Sequence, residues 1–549
     1  MMKKNSTIRA LENKTRKDDI NALFQLAQCY KEGEYVDKDI VQAEEYFSKV
    51  VKLFQPQSLQ IASVKLVDFR GFENISIDFT HQDKSNLSVI IGNNGAGKTA
   101  LLEAVKKSLS WIIKNMLNQR DSGTGELIDE LDINNNSTAE YASIVTQYTI
   151  VSGFQCQLEL SKAKKNIKST RKGSYQEIKQ LADIYKLANS RDNELNFPIM
   201  AYYSIERADE ITKKDTQPFD EVSEQNAWDK FDGYNKALNG AADFKFFFRW
   251  YKYLEDSSNA IAKQNQKPLT EIAKLQAELD SDLIKERERQ ASLDDKPDEF
   301  LISFKQQKNE ALCELKKLIK EDPASNMLKM VTTVIFEFLP EFSNLKIQRQ
   351  PLAMLIDKKG TTLNIRQLSQ GEKSLLALVA DIARRLVLLN PSLEDPLQGN
   401  GIVLIDEIDL HLHPKWQQSV VPSLLRTFPK IQFIITTHSS QVVTTVDDEC
   451  IRILRNANVY AAPKGSRGAK SSRLLKRIFE VEVRPPNDSN SMDLAKYKDF
   501  VYNDNWEYPE AKELRKKLNQ QFGDEEPDLT ELDLYIENRI WEIGLEKDQ

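Results

Sequence analysis

The feature that most constrains the fold is a glycine-rich loop between a buried strand and a helix. An apolar segment, LSVIIG (87–92), enters the loop, and the helical pattern TALLEAVKKSLSWIIKNML (99–117) leaves it. The loop residues are Gly92, Asn93, Asn94, Gly95, Ala96, Gly97, Lys98 and Thr99, which match GxxxxGK[ST]. Such glycines let successive backbone N–H groups face phosphate oxygens, while the lysine neutralises the β- and γ-phosphates and the hydroxyl reaches Mg²⁺. The loop therefore predicts an α/β fold that binds a nucleoside triphosphate, with Thr99 on the metal.

A second segment, IVLIDE (402–407), supplies the acidic half of such a site. Its four apolar residues predict a central parallel strand, and two carboxylates follow at the carboxyl end, where α/β sheets place ligands. Phosphoryl transfer depends on positioning and charge neutralisation. We therefore expect Asp406 in the Mg²⁺ shell and Glu407 as the group that orients the attacking water. Paired with the glycine loop, this segment predicts ATP hydrolysis.

A third segment, LSQGEK (368–373), precedes a long helical pattern, SLLALVADIARRL. Ser369 and the amides of a helix N-terminus can donate to a γ-phosphate. The segment resembles the signature motif of the ABC-type ATPases, in the variant of the RecF/SMC/OLD-like branch. In that superfamily the phosphate belongs to another subunit. The resemblance thus implies that Ser369 and Gly371 act on the ATP of a second copy, in a head-to-head dimer or a higher oligomer.

Two further residues fit the same resemblance. Asp409 occupies the D-loop position, which lies at the dimer interface in this superfamily, and His438 follows the strand FIITT as the switch histidine that contacts the γ-phosphate. For His411 and His413, in the segment DLHLHP, packing near the head interface is expected rather than metal binding. The sequence identifies no Q-loop residue.

The resemblance implies a particular domain organisation. The expected fold is α/β: an ABC-type P-loop ATPase head with a helical insertion, an N-terminal Sel1/TPR-like helical hairpin and a helical C-terminal region. The expected ranges are 1–56 for the Sel1/TPR-like segment, 57–204 for the N-terminal lobe, 205–330 for the insertion, 331–450 for the C-terminal lobe and 451–549 for a C-terminal region that binds a partner.

The N-terminal segment resembles a single Sel1-like repeat of the tetratricopeptide class. The positions that carry this resemblance are Ala22, Leu26, Tyr30, Gly33, Val36, Asp39, Ala43, Tyr46 and Phe47. One repeat cannot bury its apolar face alone. It must therefore pack on the rest of the chain or on a partner.

The insertion pattern predicts a short helical hairpin. Its two helices, 269–293 and 298–320, would each reach roughly 35–40 Å at the rise of an α-helix, too short for a chromosome-bridging arm. An aromatic run at 244–253 precedes them and is expected in a helix core, with a stacking platform for bases as the alternative.

Composition excludes several other classes. The chain has 549 residues and a net charge of −7, four cysteines without CxxC spacing, and no apolar run of the roughly 18 residues that a membrane helix needs. A cytoplasmic protein without a membrane anchor is expected. Only four histidines are present, and three of them lie within 411–438, which leaves none to build an HNH nuclease. Residues 451–549 also lack the strand and acidic pattern of a Toprim nuclease, so no intrinsic nuclease is expected.

Two basic stretches are compatible with two roles, contact with nucleic acid or an ordinary solvated surface. One comprises Lys162, Lys164, Lys165, Lys168, Arg171 and Lys172, and the other Lys464, Arg467, Lys470, Arg473, Lys476 and Arg477.

The order of elements resembles the ATPase subunit (PtuA-like) of Septu-type anti-phage systems, in the version found beside retrons. Passages such as FKFFFRWYKYLED and IFEVEVRPP carry this closer resemblance. It implies a separate HNH nuclease subunit (PtuB-like) as partner, controlled in response to infection, and in retron versions a reverse transcriptase with its RNA–DNA product. Two alternatives stay open: a RecF/SMC-like DNA-repair ATPase that acts directly on DNA, and a nucleotide-clamped scaffold with little turnover.

Overall fold

The fold was analysed in a computed structural model of the full chain. It describes residues 6–16, 18–54, 58–80, 86–117, 124–135, 138, 140–150, 154–165, 173–208, 228–293, 298–523 and 525–547. Part of the first basic stretch, Lys168, Arg171 and Lys172, lies outside the described residues.

The strands form three sheets. The strands are β1 (Gln60–Phe69), β2 (Phe72–Asp78), β3 (Leu87–Gly92), β4 (Tyr141–Ile150), β5 (Phe154–Ala163), β6 (Ile199–Tyr203), β7 (Phe342–Arg349), β8 (Leu352–Lys358), β9 (Thr361–Asn364), β10 (Gly401–Ile405), β11 (Ile431–Thr437), β12 (Ile451–Arg455) and β13 (Asn458–Ala461).

A six-stranded sheet is the centre of the head, with the strand order β13-β12-β3-β11-β10-β6. The neighbours from β12 to β6 pair in parallel, and only β13 is antiparallel. All residues of β3, β6, β10 and β11 are buried, as expected for parallel strands that are covered on both faces. The predicted α/β fold class is confirmed, with buried strand β3 before the glycine loop and buried strand β10 before the acidic pair.

Two antiparallel sheets complete the strand content. One has the order β2-β1-β4-β5 and the other the order β7-β8-β9. In the first of these sheets, β4 and β5 pair antiparallel along their whole length.

Sixteen α-helices accompany these sheets in the described ranges. They are α1 (Ser6–Thr15), α2 (Ile20–Glu32), α3 (Ile40–Phe54), α4 (Lys98–Leu117), α5 (Gln176–Arg191), α6 (Phe244–Leu279), α7 (Asp282–Leu293), α8 (Glu299–Leu318), α9 (Pro323–Phe338), α10 (Gln370–Leu389), α11 (Pro414–Thr427), α12 (Ser440–Val443), α13 (Ser471–Arg477), α14 (Ser489–Tyr502), α15 (Pro509–Phe522) and α16 (Pro527–Lys547). None of them combines the length and the apolar character that a membrane crossing requires.

The insertion differs from the expected hairpin at its first helix. Helix α6 has 36 residues, reaches roughly 54 Å and continues through Pro268, so it joins the aromatic run to the first part of the expected helix 269–293. That expected helix then breaks after Leu279, and its second part is the separate helix α7. The helix is anchored at its N-terminal half, where Phe247, Phe248 and Trp250 are almost fully buried. The aromatic run is therefore a packed core, and the stacking-platform alternative is wrong.

The N-terminal helices pack on α5 of the head. Phe54 of α3 meets Tyr185 edge-on with ring centroids 4.7 Å apart, and Arg191 donates to the Ser48 hydroxyl at 3.0 Å. Of the two possibilities for a single Sel1-like repeat, packing on its own chain is thus the one observed.

The chain divides into two compact units, Met1–Gly468 and Ala469–Gln549. The second contains α13 to α16 and has its own core, which includes Leu494, Val501 and Leu518. The boundary expected at residue 450 falls inside the central sheet, because β12 pairs with β3. Residues 451–455 and 458–461 form β12 and β13 and belong to the central sheet of the head.

Candidate functional site

The glycine loop lies between β3 and α4, as its pattern predicts. Gly95 and Gly97 have φ angles of 79° and 95°, in the left-handed region that favours glycine. A β-carbon on Gly97 would lie 2.3 Å from the Phe72 ring, and one on Gly92 would lie 2.5 Å from the Leu454 carbonyl oxygen. The loop can therefore keep this path only with glycine at these positions, which leaves its amides free of side-chain cover.

Lys98 lies at the first turn of α4 and is 6% exposed. Its ammonium donates to the carbonyl oxygens of Gly92 at 2.9 Å and Asn93 at 3.2 Å. Burial lowers the pKa of Lys98, and the nearby carboxylates of Glu407 and Asp406 counteract part of that effect. A cation is thus held over the loop where phosphate charge would be neutralised.

Asp406 follows β10 and is fully buried. It accepts hydrogen bonds from the hydroxyl of Thr99 at 2.8 Å and from that of Thr436 at 2.5 Å. The Thr99 contact joins two segments that are 307 positions apart in sequence. The structure therefore brings together the two residues predicted to contact the metal.

Glu407 has a φ of 46°, an uncommon left-handed conformation for a residue with a side chain. Its backbone N–H donates to the Thr436 hydroxyl at 2.7 Å. Its carboxylate is about one-third exposed, and Oε1 lies 3.9 Å from Nε2 of His438. The two residues predicted to be catalytic are therefore neighbours at one edge of the sheet.

Burial lowers the pKa of His438, and the positive charge of Lys98 lowers it further, while Glu407 and Asp409 act in the opposite direction. The imidazole is therefore mainly neutral at neutral pH. A neutral ring can accept a hydrogen bond at one nitrogen and donate at the other.

Asp409 is tied to the strand that carries the histidine. It accepts a hydrogen bond from the Thr437 hydroxyl at 2.5 Å, and that hydroxyl accepts from the N–H of Ser439 at 3.0 Å. The D-loop candidate and the switch candidate thus share one network.

Arg207 is a residue of this site that sequence reasoning missed. It is 4% exposed, and its guanidinium donates to the backbone carbonyls of Asp406 and Glu407 and, at 2.9 Å, to that of Ser204. Burial lowers the pKa of Arg207 to about 10, against the opposing effect of the acidic residues nearby. The available signal was its place four residues after the buried strand β6, at the carboxyl edge of the same sheet.

The signature segment begins helix α10. The Ser369 hydroxyl accepts from the Glu372 N–H at 3.4 Å, and Glu372 accepts from the Ser369 N–H at 2.8 Å and from Lys358 at 2.5 Å. Ser369 is exposed. These hydrogen bonds, together with the close approach of Gly371 to the His411 carbonyl, hold the first turn of α10 in place. They do not connect the signature segment to the glycine loop.

The other two histidines of this region are exposed. His413 caps α11, accepting from the Lys415 N–H at 3.3 Å, and His411 has a φ of 61°. Within the described part of the chain, no group of three or more His, Cys, Asp or Glu side chains is placed to hold a metal ion.

A polar, open cleft of about 700 Å³ lies beside the glycine loop. Two contacts place the cleft there. Phe72, whose sequence neighbours line the cleft, packs against Gly97, and Leu454, two residues before the lining residue Asn456, pairs with Gly92. Its lining includes Arg70, Gly71, Glu73, Asn74, Asn134, Asn135, Asn456 and Asn458.

The arrangement fits a nucleoside triphosphate with a divalent cation. The glycines fix the path of the loop, Lys98 holds its ammonium over it, and the buried Asp406 carboxylate accepts from the Thr99 hydroxyl. Hard oxygen donors of this kind suit Mg²⁺. Of the predicted residues, the structure assembles the glycine loop, Asp406, Glu407, Asp409 and His438, while the signature segment contacts Lys358 and the His411 backbone.

Comparison with known proteins agrees with this geometry. The AAA ATPase domain family matches residues 60–443. The chain is 39% identical over 547 residues to "Retron Ec83 probable ATPase" of Escherichia coli, covering 99% of both chains. It is 33% identical over 509 residues to "Retron Vc95 probable ATPase" of Vibrio cholerae serotype O1 biovar El Tor, covering 91% of this chain and 95% of that one. It is 42% identical over 93 residues to "Septu protein PtuA" of Bacillus mycoides (strain KBAB4), covering 17% of this chain and 13% of that one.

Proposed function

This chain belongs to the AAA ATPase domain family and to the retron-associated ATPases, and we propose that it is the regulatory subunit of an anti-phage defence complex. In this proposal its ATP hydrolysis controls a separate HNH nuclease in response to infection. The observation that carries the proposal is the junction of Thr99, Asp406 and Glu407 at one edge of the sheet, in a chain that matches retron ATPases along its whole length.

Each residue of the junction has a distinct task in hydrolysis. The amides of the glycine loop and Lys98 hold the phosphates, and Thr99 with Asp406 holds Mg²⁺. Bound ATP–Mg²⁺ supplies the phosphoanhydride bond and the divalent charge that makes its cleavage easier. Glu407 orients a water molecule and draws on its proton, and neutral His438 positions the γ-phosphate oxygens.

The signature segment acts on a second copy in this proposal. Ser369 is exposed at the N-terminus of α10, a helix of 20 residues, where hydroxyl and amide donors and the helix dipole favour an anion. The signature contacts run to Lys358 and His411, away from the loop of its own chain. Two heads therefore close around two ATP molecules, with Asp409 at their interface.

The cleft beside the glycine loop completes the nucleotide site. Its asparagine amides and the Arg70 guanidinium can donate to and accept from a ribose and a base, which extend from the phosphates.

The partners are the finer part of the proposal. The nuclease is a PtuB-like HNH subunit, and a reverse transcriptase with its RNA–DNA product joins the complex. The retron names of the two full-length relatives and the partial match to a Septu protein support this assignment.

Co-purification from the native gene neighbourhood tests the assignment. Wild type is compared with Lys98→Ala and with Lys114→Ala, an exposed lysine at the far end of the same helix. We expect an HNH nuclease and a reverse transcriptase in the wild-type and Lys114→Ala eluates, and their loss or depletion with Lys98→Ala. A chain that elutes alone, or coated with random duplex DNA, would contradict the defence assignment and favour a repair ATPase.

A further inference from the structure

The backbone that carries Glu407 is held from two sides. On one side its N–H donates to the Thr436 hydroxyl at 2.7 Å, and on the other its carbonyl accepts from the Arg207 guanidinium. Its φ of 46° is costly for a residue with a side chain, so the conformation persists only where neighbours impose it.

The guanidinium of Arg207 is aimed at backbone atoms. It donates hydrogen bonds to the carbonyls of Ser204, Asp406 and Glu407. Burying a charged group is unfavourable unless hydrogen bonds satisfy it, and the planar fork of an arginine can bridge two adjacent carbonyls, whereas a lysine ammonium is a compact charge without that fork.

The turn that bears Arg207 is itself anchored. It follows β6, whose last residue, Tyr203, donates through its hydroxyl to Asp381 at 2.9 Å, and the Tyr203 carbonyl accepts from the Asp406 N–H at 2.8 Å. Asp381 also accepts from Arg385 at 2.7 Å, and all three of these side chains are almost fully buried. Since Asp381 and Arg385 belong to α10, a buried hydrogen-bond network joins the signature helix to the strand that leads into the Arg207 turn.

We propose that Arg207 is a positioning residue for hydrolysis, which fixes the left-handed backbone of Glu407 and so aims its carboxylate at the attacking water. The inference rests on the proposed ATPase activity. Arg207 itself contacts neither nucleotide nor water in this account. Its effect is transmitted through the Glu407 carbonyl, and a small misplacement of a catalytic group can lower a rate about 100-fold.

The test compares steady-state ATPase rates and nucleotide affinity in the full chain for wild type, Arg207→Lys and Arg207→Ala. Arg191→Ala, which alters an arginine at the end of α5 that donates to Ser48 of α3, is the matched control. We expect Arg207→Lys to lower kcat about 30-fold or more, with the Kd for ATP within about threefold of wild type. Arg191→Ala should keep wild-type kcat.

A double-mutant cycle separates positioning from a general loss of folding. If Arg207 acts through Glu407, then adding Arg207→Lys to Glu407→Gln should change the single-turnover rate by less than about threefold. This holds even if Arg207→Ala does not fold. Additive losses in the double variant, or a parallel loss of kcat and ATP affinity, would overturn the inference.

The outcomes also distinguish the two levels of the account. An active wild type with an equally active Arg207→Lys overturns the positioning role alone. A wild type that binds ATP without hydrolysing it overturns the proposed ATPase function, and the inference falls with it.

Discussion

Gly371 lies against the backbone of His411: a β-carbon at position 371 would be 2.4 Å from the His411 carbonyl oxygen. This contact fixes the first turn of the signature helix against the segment that follows the acidic pair. The start of α10 and the hydrolytic edge of the sheet are therefore set relative to each other within one chain.

Adding that β-carbon should move the helix start. We expect Gly371→Ala to destabilise the fold by about 1–3 kcal/mol, because a backbone oxygen must shift, and to reduce ATPase activity. Gly71→Ala, where the added atom meets nothing within 4 Å, should change stability by less than about 0.5 kcal/mol. Melting temperatures of the two variants provide the check, and equal values would show that the contact is not tight.

Removing the ammonium from the glycine loop should weaken nucleotide binding. A charge-assisted hydrogen bond contributes about 1.5–3 kcal/mol, so Lys98→Ala should lose roughly 10- to 100-fold in ATP affinity. Lys114→Ala, on the exposed end of the same helix, should bind as wild type does. Isothermal titration calorimetry measures both. Unchanged affinity in Lys98→Ala would place the phosphates elsewhere.

The lowered pKa of His438 predicts the position of an acid limb in the pH profile. Since burial and Lys98 disfavour the charged ring, protonation should occur below about 6.5, and hydrolysis should decline only as the pH falls through that lower range. His438→Gln should remove this limb and lower kcat about 10- to 100-fold. His413→Asn, which retains a capping side chain on α11, should keep it. A limb centred above 6.5, or one that survives in His438→Gln, would contradict this assignment.

The buried hydrogen bond between Tyr203 and Asp381 should contribute measurably to stability. Burial raises the pKa of Asp381, but Arg385 and Arg384 outweigh it and hold that pKa below its ordinary value, so the acceptor is charged. Tyr203→Phe should cost about 1.5–3 kcal/mol. The Tyr185 hydroxyl is equally buried but has no hydrogen-bond partner among the residues that the structure describes, so Tyr185→Phe should be neutral. Equal melting temperatures for the two variants would show that the Asp381 contact adds nothing.

The candidate site was largely predictable because its chemistry is carried by local patterns. The glycine loop must follow a buried strand and precede a helix, and the acidic pair must end another strand. The hydroxyl oxygen of Thr99 and a carboxylate oxygen of Asp406 lie 2.8 Å apart, as the two patterns together require. The catalytic and switch roles of Glu407 and His438 remain predictions.

Features that depend on strand order could not be derived in the same way. Arg207 reaches the acidic pair only because β6 pairs with β10, and no local pattern reveals which strands are neighbours. The pairing of β12 with β3 likewise depends on strand order, and it places the residues just after the expected boundary at 450 in the central sheet. Proline disfavours a helix interior, yet α6 continues through Pro268, since packing of its aromatic half and contacts with α8 and α9 outweigh the local preference.

The central claim is that hydrolysis by this chain, and not nucleotide binding alone, sets the state of a partner nuclease. The most direct test follows DNA cleavage by the purified complex after ATP addition, for wild type, Glu407→Gln and the exposed control Glu449→Gln. Glu407→Gln should bind ATP, hydrolyse it at least about 100-fold more slowly, and hold one constant cleavage rate. Wild type and Glu449→Gln should change cleavage rate as ATP is consumed. The same time course in all three complexes would contradict the account.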